Sequence, residues 1–262
     1  MLMRLLPSML SQPLLRGWFA ACLLCTSATA GVPADAAKKI DALYEKFEQR
    51  IKVRQAEGTM PTLGTPADAE LLNAFWNPAL VGEAPYGAVD SEALITILAK
   101  QRSILSAYVF FPHASAERPP LASNILTFQD EIVRAQIVQL KIVGALAAVA
   151  TDVSVLIQDR QMSDVKRFGI SSFKVAYAPF LQNVNEIIAL PGLRMPNRSA
   201  LAKTLAENLA RIAPALAQRD RLKIATQLKS SQSLLPESDR PEIDTALEQF
   251  LAQPCTGICA IR

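Results

Sequence analysis

The stretch IVQLKIVGALAAVATDVSVLI, residues 137–157, decides the fold class of this chain. Wound as a helix it is apolar on nearly every face, which is typical of a helix surrounded by other helices. Its uncharged run, between Lys141 and Asp152, covers only ten residues. Because that is about 15 Å of helix, half the thickness of a bilayer core, we expect a central buried helix and no transmembrane segment in the mature chain.

Helical spacing of apolar residues continues on both sides of this stretch. Predicted helices run over about 35–57, 66–76, 90–108 and 121–161, then from 163, from 201 to 216, and from 239 onward. We expect Thr65 and Asp90 to be N-cap residues, and Pro179 and Pro214 to bend or split their helices. Loops rich in Pro and Gly concentrate between residues 58 and 120, in the N-terminal half. The sequence therefore predicts one all-α domain, a helical bundle of about six to eight helices, over residues 31–262.

The first thirty residues have the pattern of a cleaved signal peptide. Arg4 and Arg16 supply positive charge, a short apolar core follows, and Ala28-Thr29-Ala30 precedes Gly31. The pattern predicts export to the periplasm or secretion. A lipoprotein acylated on Cys22 is the alternative, although Phe19 is a poor residue at the leading position of such a site.

Charge and aromatic content exclude one large class of partner. The chain has 27 basic and 24 acidic residues, and removing Arg4 and Arg16 with the signal peptide leaves the two signs nearly balanced. Nucleic-acid binding needs a concentrated basic face for phosphate contacts, which the sequence does not contain. We therefore expect no nucleic-acid partner.

Two cysteines remain after residue 30, Cys255 and Cys259. In an exported protein such close cysteines most often form a disulfide. A redox centre is the alternative, but such centres usually present Cys-x-x-Cys at a helix start. A zinc site needs about four N or S ligands, and the chain has one histidine. We predict a disulfide that fastens the C-terminal tail, and no metal or cofactor.

Candidate catalytic groups are few. Ser-x-x-Lys, in which one helical turn brings a lysine onto a serine hydroxyl, occurs as Ser163/Lys166 and Ser171/Lys174. The companion elements of penicillin-recognising enzymes are missing, so we interpret both pairs as exposed helix residues. His113, the single histidine, has no neighbour in a nucleophile motif.

Acidic residues offer two further candidates. Asp152 interrupts the most apolar helix and needs a partner or a proton if it is buried; we interpret it as the point where the helix emerges or meets an arginine. The carboxylate pairs Asp130/Glu131 and Asp159/Asp164 lack the histidines of a helical di-metal site.

Two irregular loops carry most of the aromatic residues that lie outside the regular helical stripes. Such residues on a rigid scaffold are typical of recognition sites, although they could equally plug the end of the bundle. The candidate partner-binding residues are Trp76, Tyr86, Tyr108, Phe110, Phe111 and His113.

The sequence predicts a protein that works by binding, and enzymatic activity is not expected. Our first hypothesis is a protein partner in the cell envelope, with an accessory or inhibitor-like role. The second is a carrier of an apolar small molecule or lipid, since Ala-rich helices can enclose a cavity. The third is a hydrolase that uses His113 or a Ser–Lys pair.

Overall fold

The computed structural model describes residues 31–112, 120–156, 164–255 and 259, with side chains for all of them except 152–174. In these residues the secondary structure is helical, with an isolated bridge between Gly31 and Glu83. The α-helices are α1 Ala36–Ala56, α2 Pro66–Phe75, α3 Ser91–Val109, α4 Leu121–Thr127, α5 Gln129–Leu156, α6 Asp164–Ala189, α7 Met195–Ile212, α8 Gln218–Ser230 and α9 Arg240–Ala252. The prediction of an all-α bundle is confirmed.

Helix α5 lies at the centre of the bundle. It packs against α3 on the N-terminal side of the chain and most extensively against α7 on the C-terminal side. Helices α1 and α2 pack onto this N-terminal group. On the other side, α6 and α9 pack against α7, and α8 packs against α6 and α9. The segment Gln129–Thr151 is long and apolar enough to cross a membrane, but 78% of its most apolar window is buried inside the protein.

One predicted helix is two helices, which corrects the prediction for 121–161. The chain leaves helical geometry at Phe128, with φ −108° and ψ 34°. The Phe128 ring packs edge-on against Tyr108 and Phe111, with ring centroids 5.5 and 5.6 Å apart. The break therefore places an aromatic side chain in the core.

The split predicted at Pro214 is present, whereas the helix that contains Pro179 is not split. Pro214 lies in a short 3₁₀ turn that separates α7 from α8, and Pro179 lies inside α6. Helix α7 begins at Met195, six residues before the predicted start, and α8 has no counterpart among the predicted helices.

Asp90 takes the predicted N-cap position of α3, but its side chain does not cap that helix. Its carboxylate instead accepts hydrogen bonds from the backbone N–H of Val32 and of Gly87, both at 2.8 Å. The Gly31 N–H donates to the Glu83 carbonyl at 2.8 Å. Asp90 therefore fastens the segment before α1 to the loop before α3.

Candidate functional site

The aromatic residues predicted to bind a partner divide into buried and exposed groups. Trp76 and Tyr108 have no exposed surface, and Tyr86 is 9% exposed. The hydroxyl of Tyr108 donates to the Pro61 carbonyl at 2.8 Å, and the Tyr86 hydroxyl donates to the Gly82 carbonyl at 2.9 Å. These hydrogen bonds satisfy the polar atoms of buried phenols, which is how core tyrosines are accommodated.

Trp76 and Tyr108 belong to an aromatic cluster between α1, α2 and α3. Phe47 lies 5.2 Å from Phe75 and 5.8 Å from Trp76, measured between ring centroids. Trp76 lies 5.6 Å from Tyr108. Their positions correspond to the alternative interpretation of the sequence, in which loop aromatics close the end of the bundle.

Phe110 and Phe111 follow directly after α3. Phe110 is 41% exposed, whereas Phe111 is half-buried and packs on Phe128. His113 lies outside the described residues. Phe110 is thus the one member of the predicted set that the described structure places largely at the surface.

Other candidates are structural or fall outside the described residues. Asp130 pairs with Arg194 and accepts a hydrogen bond from Asn197 at 2.8 Å, and Glu131 accepts the Leu63 N–H at 2.7 Å. Among described residues, no group of three His, Cys, Asp or Glu side chains is placed to hold a metal. The residues or side chains outside the description are Asp152, Asp159, Ser163, Asp164, Lys166, Ser171 and Lys174.

The predicted disulfide between Cys255 and Cys259 is present. It closes a short loop just after α9, at the end of the described chain. Both cysteines are therefore oxidised, which agrees with a structural role at the C-terminal tail.

A cavity of about 60 Å³ lies between α3, α4, α5 and α6. Its walls are largely apolar, and they include Leu105, Ile125 and Phe180. Phe110 lies at its edge. A water molecule needs roughly 10–15 Å³ on this measure, so the cavity has room for several water-sized groups.

Arg102 on α3 lines this cavity without a charged partner. Its guanidinium carbon lies 5.7 Å from the centre of the Phe180 ring, in a cation–π arrangement. Loss of hydration lowers the pKa of Arg102, while the nearby Tyr177 phenol raises it. No carboxylate pairs with Arg102 in the described part of the chain, and its Nε has no hydrogen-bond acceptor there.

Two amide side chains from the central helix line the same cavity. Gln136 and Gln139 are 8% and 1% exposed. The Oε1 of Gln136 and the Nε2 of Gln139 make no hydrogen bond with a described residue. Buried polar groups are nearly always hydrogen-bonded, so three such side chains around one cavity need an explanation beyond packing.

Sequence analysis did not identify Arg102, Gln136 or Gln139 as site residues. The sequence could have identified the two glutamines as candidates, because they are polar residues three positions apart on one face of the most apolar helix. Arg102 gives no such signal, because one arginine on an amphipathic helix is usually solvated.

The chain has no match among protein-family models, curated proteins or solved structures.

Proposed function

We propose that this protein works by binding a small molecule in the cavity between α3, α4, α5 and α6. The observation that carries the proposal is the Arg102 guanidinium, which is partly buried at the cavity wall and has no carboxylate partner in the described residues. Withdrawing a charge from water without a partner costs free energy. A bound molecule that supplies the missing partner would account for its presence.

The groups around the cavity suit binding and orientation. A guanidinium and three primary amides, those of Gln136, Gln139 and Asn183, offer directional hydrogen bonds, and the walls offer apolar contact. Ser106 also lines the cavity, but its hydroxyl donates to the Arg102 carbonyl at 2.8 Å. Mostly apolar pockets with a few convergent polar groups are typical of small-molecule sites.

The protein-partner hypothesis now depends mainly on Phe110. Trp76, Tyr86 and Tyr108 are core side chains, so they could contact a partner only after rearrangement. Phe110 also lies at the edge of the cavity, and its exposure supports ligand entry equally well. The hydrolase hypothesis rests on His113 and the Ser–Lys pairs, which lie outside the described side chains.

We also propose that the protein is exported and cleaved after Ala30. The disulfide supports this proposal, because disulfides persist in oxidising compartments. The contacts at Gly31 support it too. The Gly31 N–H donates a hydrogen bond to the Glu83 carbonyl, and the Val32 N–H donates one to the Asp90 carboxylate. A chain that begins at Gly31 would therefore still be attached to the bundle. N-terminal sequencing of the protein from envelope fractions tests this, and an intact Met1 there would refute it.

Native mass spectrometry tests the binding proposal. The protein is purified from its producing cell without detergent, and its mass is compared before and after denaturation. We expect a small additional mass that is lost on denaturation. The bare mass, together with no change on adding small carboxylates, amides or alcohols, would count against the proposal.

A further inference from the structure

We infer that the cavity beside Arg102 binds an organic molecule with a single carboxylate and a short apolar chain. The inference rests on the proposed function and specifies its ligand. It is carried by the juxtaposition of one guanidinium without a carboxylate partner, two buried amides and apolar walls around one partly open cavity.

Charge selects the head group of the ligand. Arg102 supplies one positive charge, and no other Arg or Lys lines the cavity among the described residues. A carboxylate matches that single charge and accepts two parallel hydrogen bonds from a guanidinium. A phosphate dianion would leave a net negative charge out of water, which is unfavourable without a second cation.

The buried amides of Gln136 and Gln139 indicate which other polar groups the ligand carries. Gln136 leaves one acceptor atom unused and Gln139 one donor atom. Exchanging oxygen and nitrogen in both amides leaves the same pair of requirements. The free donor suits a carboxylate oxygen, and the free acceptor suits a hydroxyl or amine close to it. A hydroxy acid therefore satisfies more of this site than a simple carboxylate.

The apolar walls and the volume of the cavity indicate the size and character of the ligand's apolar chain. Leu105, Val109 and Ile187 line the cavity and are less than 10% exposed. A cavity of about 60 Å³ holds about four to six water-sized groups. This matches the carboxylate and the first methylene groups of a short-chain acid, and the end of a chain as long as that of hexanoate would extend out of the cavity past Phe110.

Isothermal titration calorimetry tests the inference with matched probes. The protein is purified from its producing cell, and bound molecules are removed by unfolding and refolding it. The probes titrated into it are hexanoate, 2-hydroxyhexanoate, hexanamide and hexyl phosphate. We expect both carboxylates to bind at least about tenfold more tightly than the amide and the phosphate, since hydrogen bonds to charged groups contribute roughly 1.5–3 kcal/mol.

Variants connect the affinity to the site. Arg102→Met should weaken hexanoate binding about 10- to 100-fold and remove the preference over hexanamide. Gln139→Leu should weaken both carboxylates. Arg219→Met, an exposed arginine on α8, is the control and should leave all four affinities unchanged.

The outcomes separate this inference from the proposed function. If hexanamide binds as tightly as hexanoate and Arg102→Met has no effect, the cavity still binds ligands but the carboxylate assignment is wrong. Tighter binding of hexyl phosphate would assign a phosphate instead. If no probe binds and native mass spectrometry shows the bare protein, both the inference and the proposed function fail.

Discussion

Arg198 and Arg221 are buried, whereas Arg102 is only partly buried, and the partners of the two buried arginines are backbone carbonyls. Arg198 is 8% exposed and donates to Ile188 at 2.8 Å and to Leu190 at 3.0 Å, where α6 ends. Arg221 is fully buried and donates to Leu216 at 3.0 Å and to Gln253. The last carbonyls of a helix lack intrahelical donors and carry partial negative charge, so a guanidinium satisfies them without a carboxylate. Arg102 makes no such hydrogen bond with a described residue, and this contrast supports the ligand-binding role that we propose for it.

Replacing Arg198 should therefore destabilise the protein. Arg198→Met keeps the apolar stem but leaves the Ile188 and Leu190 carbonyls without this donor, and we expect a loss of about 2–3 kcal/mol in the free energy of unfolding. Urea titration measures it, with Arg219→Met as an exposed control within about 0.5 kcal/mol of the wild type. If Arg198→Met is as stable as Arg219→Met, water molecules must supply the hydrogen bonds that the two carbonyls lose.

Asp68 is a buried carboxylate that joins α2 to α1. It is 1% exposed, and it accepts hydrogen bonds from Arg50 and from Arg54, the latter at 2.8 and 3.0 Å. Burial raises the pKa of the Asp68 carboxyl, but the hydrogen bonds and charges of the two arginines outweigh this and hold the pKa below its ordinary value of 3.8. A lowered pKa means that the folded protein favours the charged form.

This group should make stability fall in acid. Its contribution is complete above the unfolded-state pKa and is lost as pH falls through the lower folded-state pKa. We expect Asp68→Asn to lower the free energy of unfolding by about 3 kcal/mol at pH 7. This is the low end of the range for buried ion pairs, because Arg50 and Arg54 are partly solvated. The difference from wild type should shrink below about pH 4.

Urea titrations of wild type and Asp68→Asn from pH 7 to pH 2 measure the effect. Exposed Glu45→Gln serves as the control and should stay within about 0.5 kcal/mol of wild type throughout. A difference between wild type and Asp68→Asn that stays constant with pH would mean that Asp68 contributes through packing rather than charge.

Among the helix contacts, α5 approaches α7 closely at Gly144. A Cβ atom on Gly144 would lie 2.6 Å from the Oδ1 of Asn208. Asn208 is 2% exposed, and its Nδ2 donates to the Thr204 carbonyl at 2.8 Å. A side chain at position 144 would therefore force Asn208 to move where the central helix meets its main neighbour.

Gly144→Ala should destabilise the protein even though alanine favours helix. The propensity gain of about 1 kcal/mol is smaller than the cost of overpacking a rigid core, so we expect a net loss of about 1–2 kcal/mol. In an Asn208→Ala background the same change should be neutral or stabilising, because the clashing oxygen is gone. A double-mutant cycle measured by urea titration checks this, and a coupling energy near zero would contradict the packing shown here.

Sequence periodicity predicted most helices because their buried faces are apolar. It missed α8, whose buried stripe combines Arg221 and Ala225 with only two large apolar residues, Ile224 and Leu228. It also missed the break at Phe128, because the residues around it keep helical spacing. Both departures depend on tertiary contacts: carbonyls after α9 accept from Arg221, and two aromatic rings pack on Phe128.

The candidate site was less predictable than the fold. Arg102 differs from a surface arginine only in having a cavity beside it, and that cavity forms where four helices meet. The aromatic residues were more conspicuous in the sequence, but those in the described structure are mostly buried. Asp90 was correctly placed at the start of α3, but its hydrogen bonds to Val32 and Gly87 depend on chain segments that only the fold brings together.

At the scale of the whole molecule, the disulfide contributes little to the fold. Closing a five-residue loop is worth about 2 kcal/mol at most in the chain-entropy model, and Arg221 already binds the Gln253 carbonyl. We expect the double variant Cys255→Ser/Cys259→Ser to keep the helical circular dichroism spectrum of the wild type. Its free energy of unfolding should fall by no more than about 2 kcal/mol. Loss of cooperative unfolding would show that the tail holds the bundle together.

We propose that Arg102 is present for a ligand and not for the fold. Urea unfolding of refolded, ligand-free wild type and of Arg102→Met tests this proposal. Because replacing an unpaired charge that is partly withdrawn from water with an apolar side chain is often neutral or stabilising, we predict that Arg102→Met unfolds at the same or a higher urea concentration. A loss of about 2 kcal/mol or more, of the size expected for Arg198→Met, would show that Arg102 is structural and contradict the account.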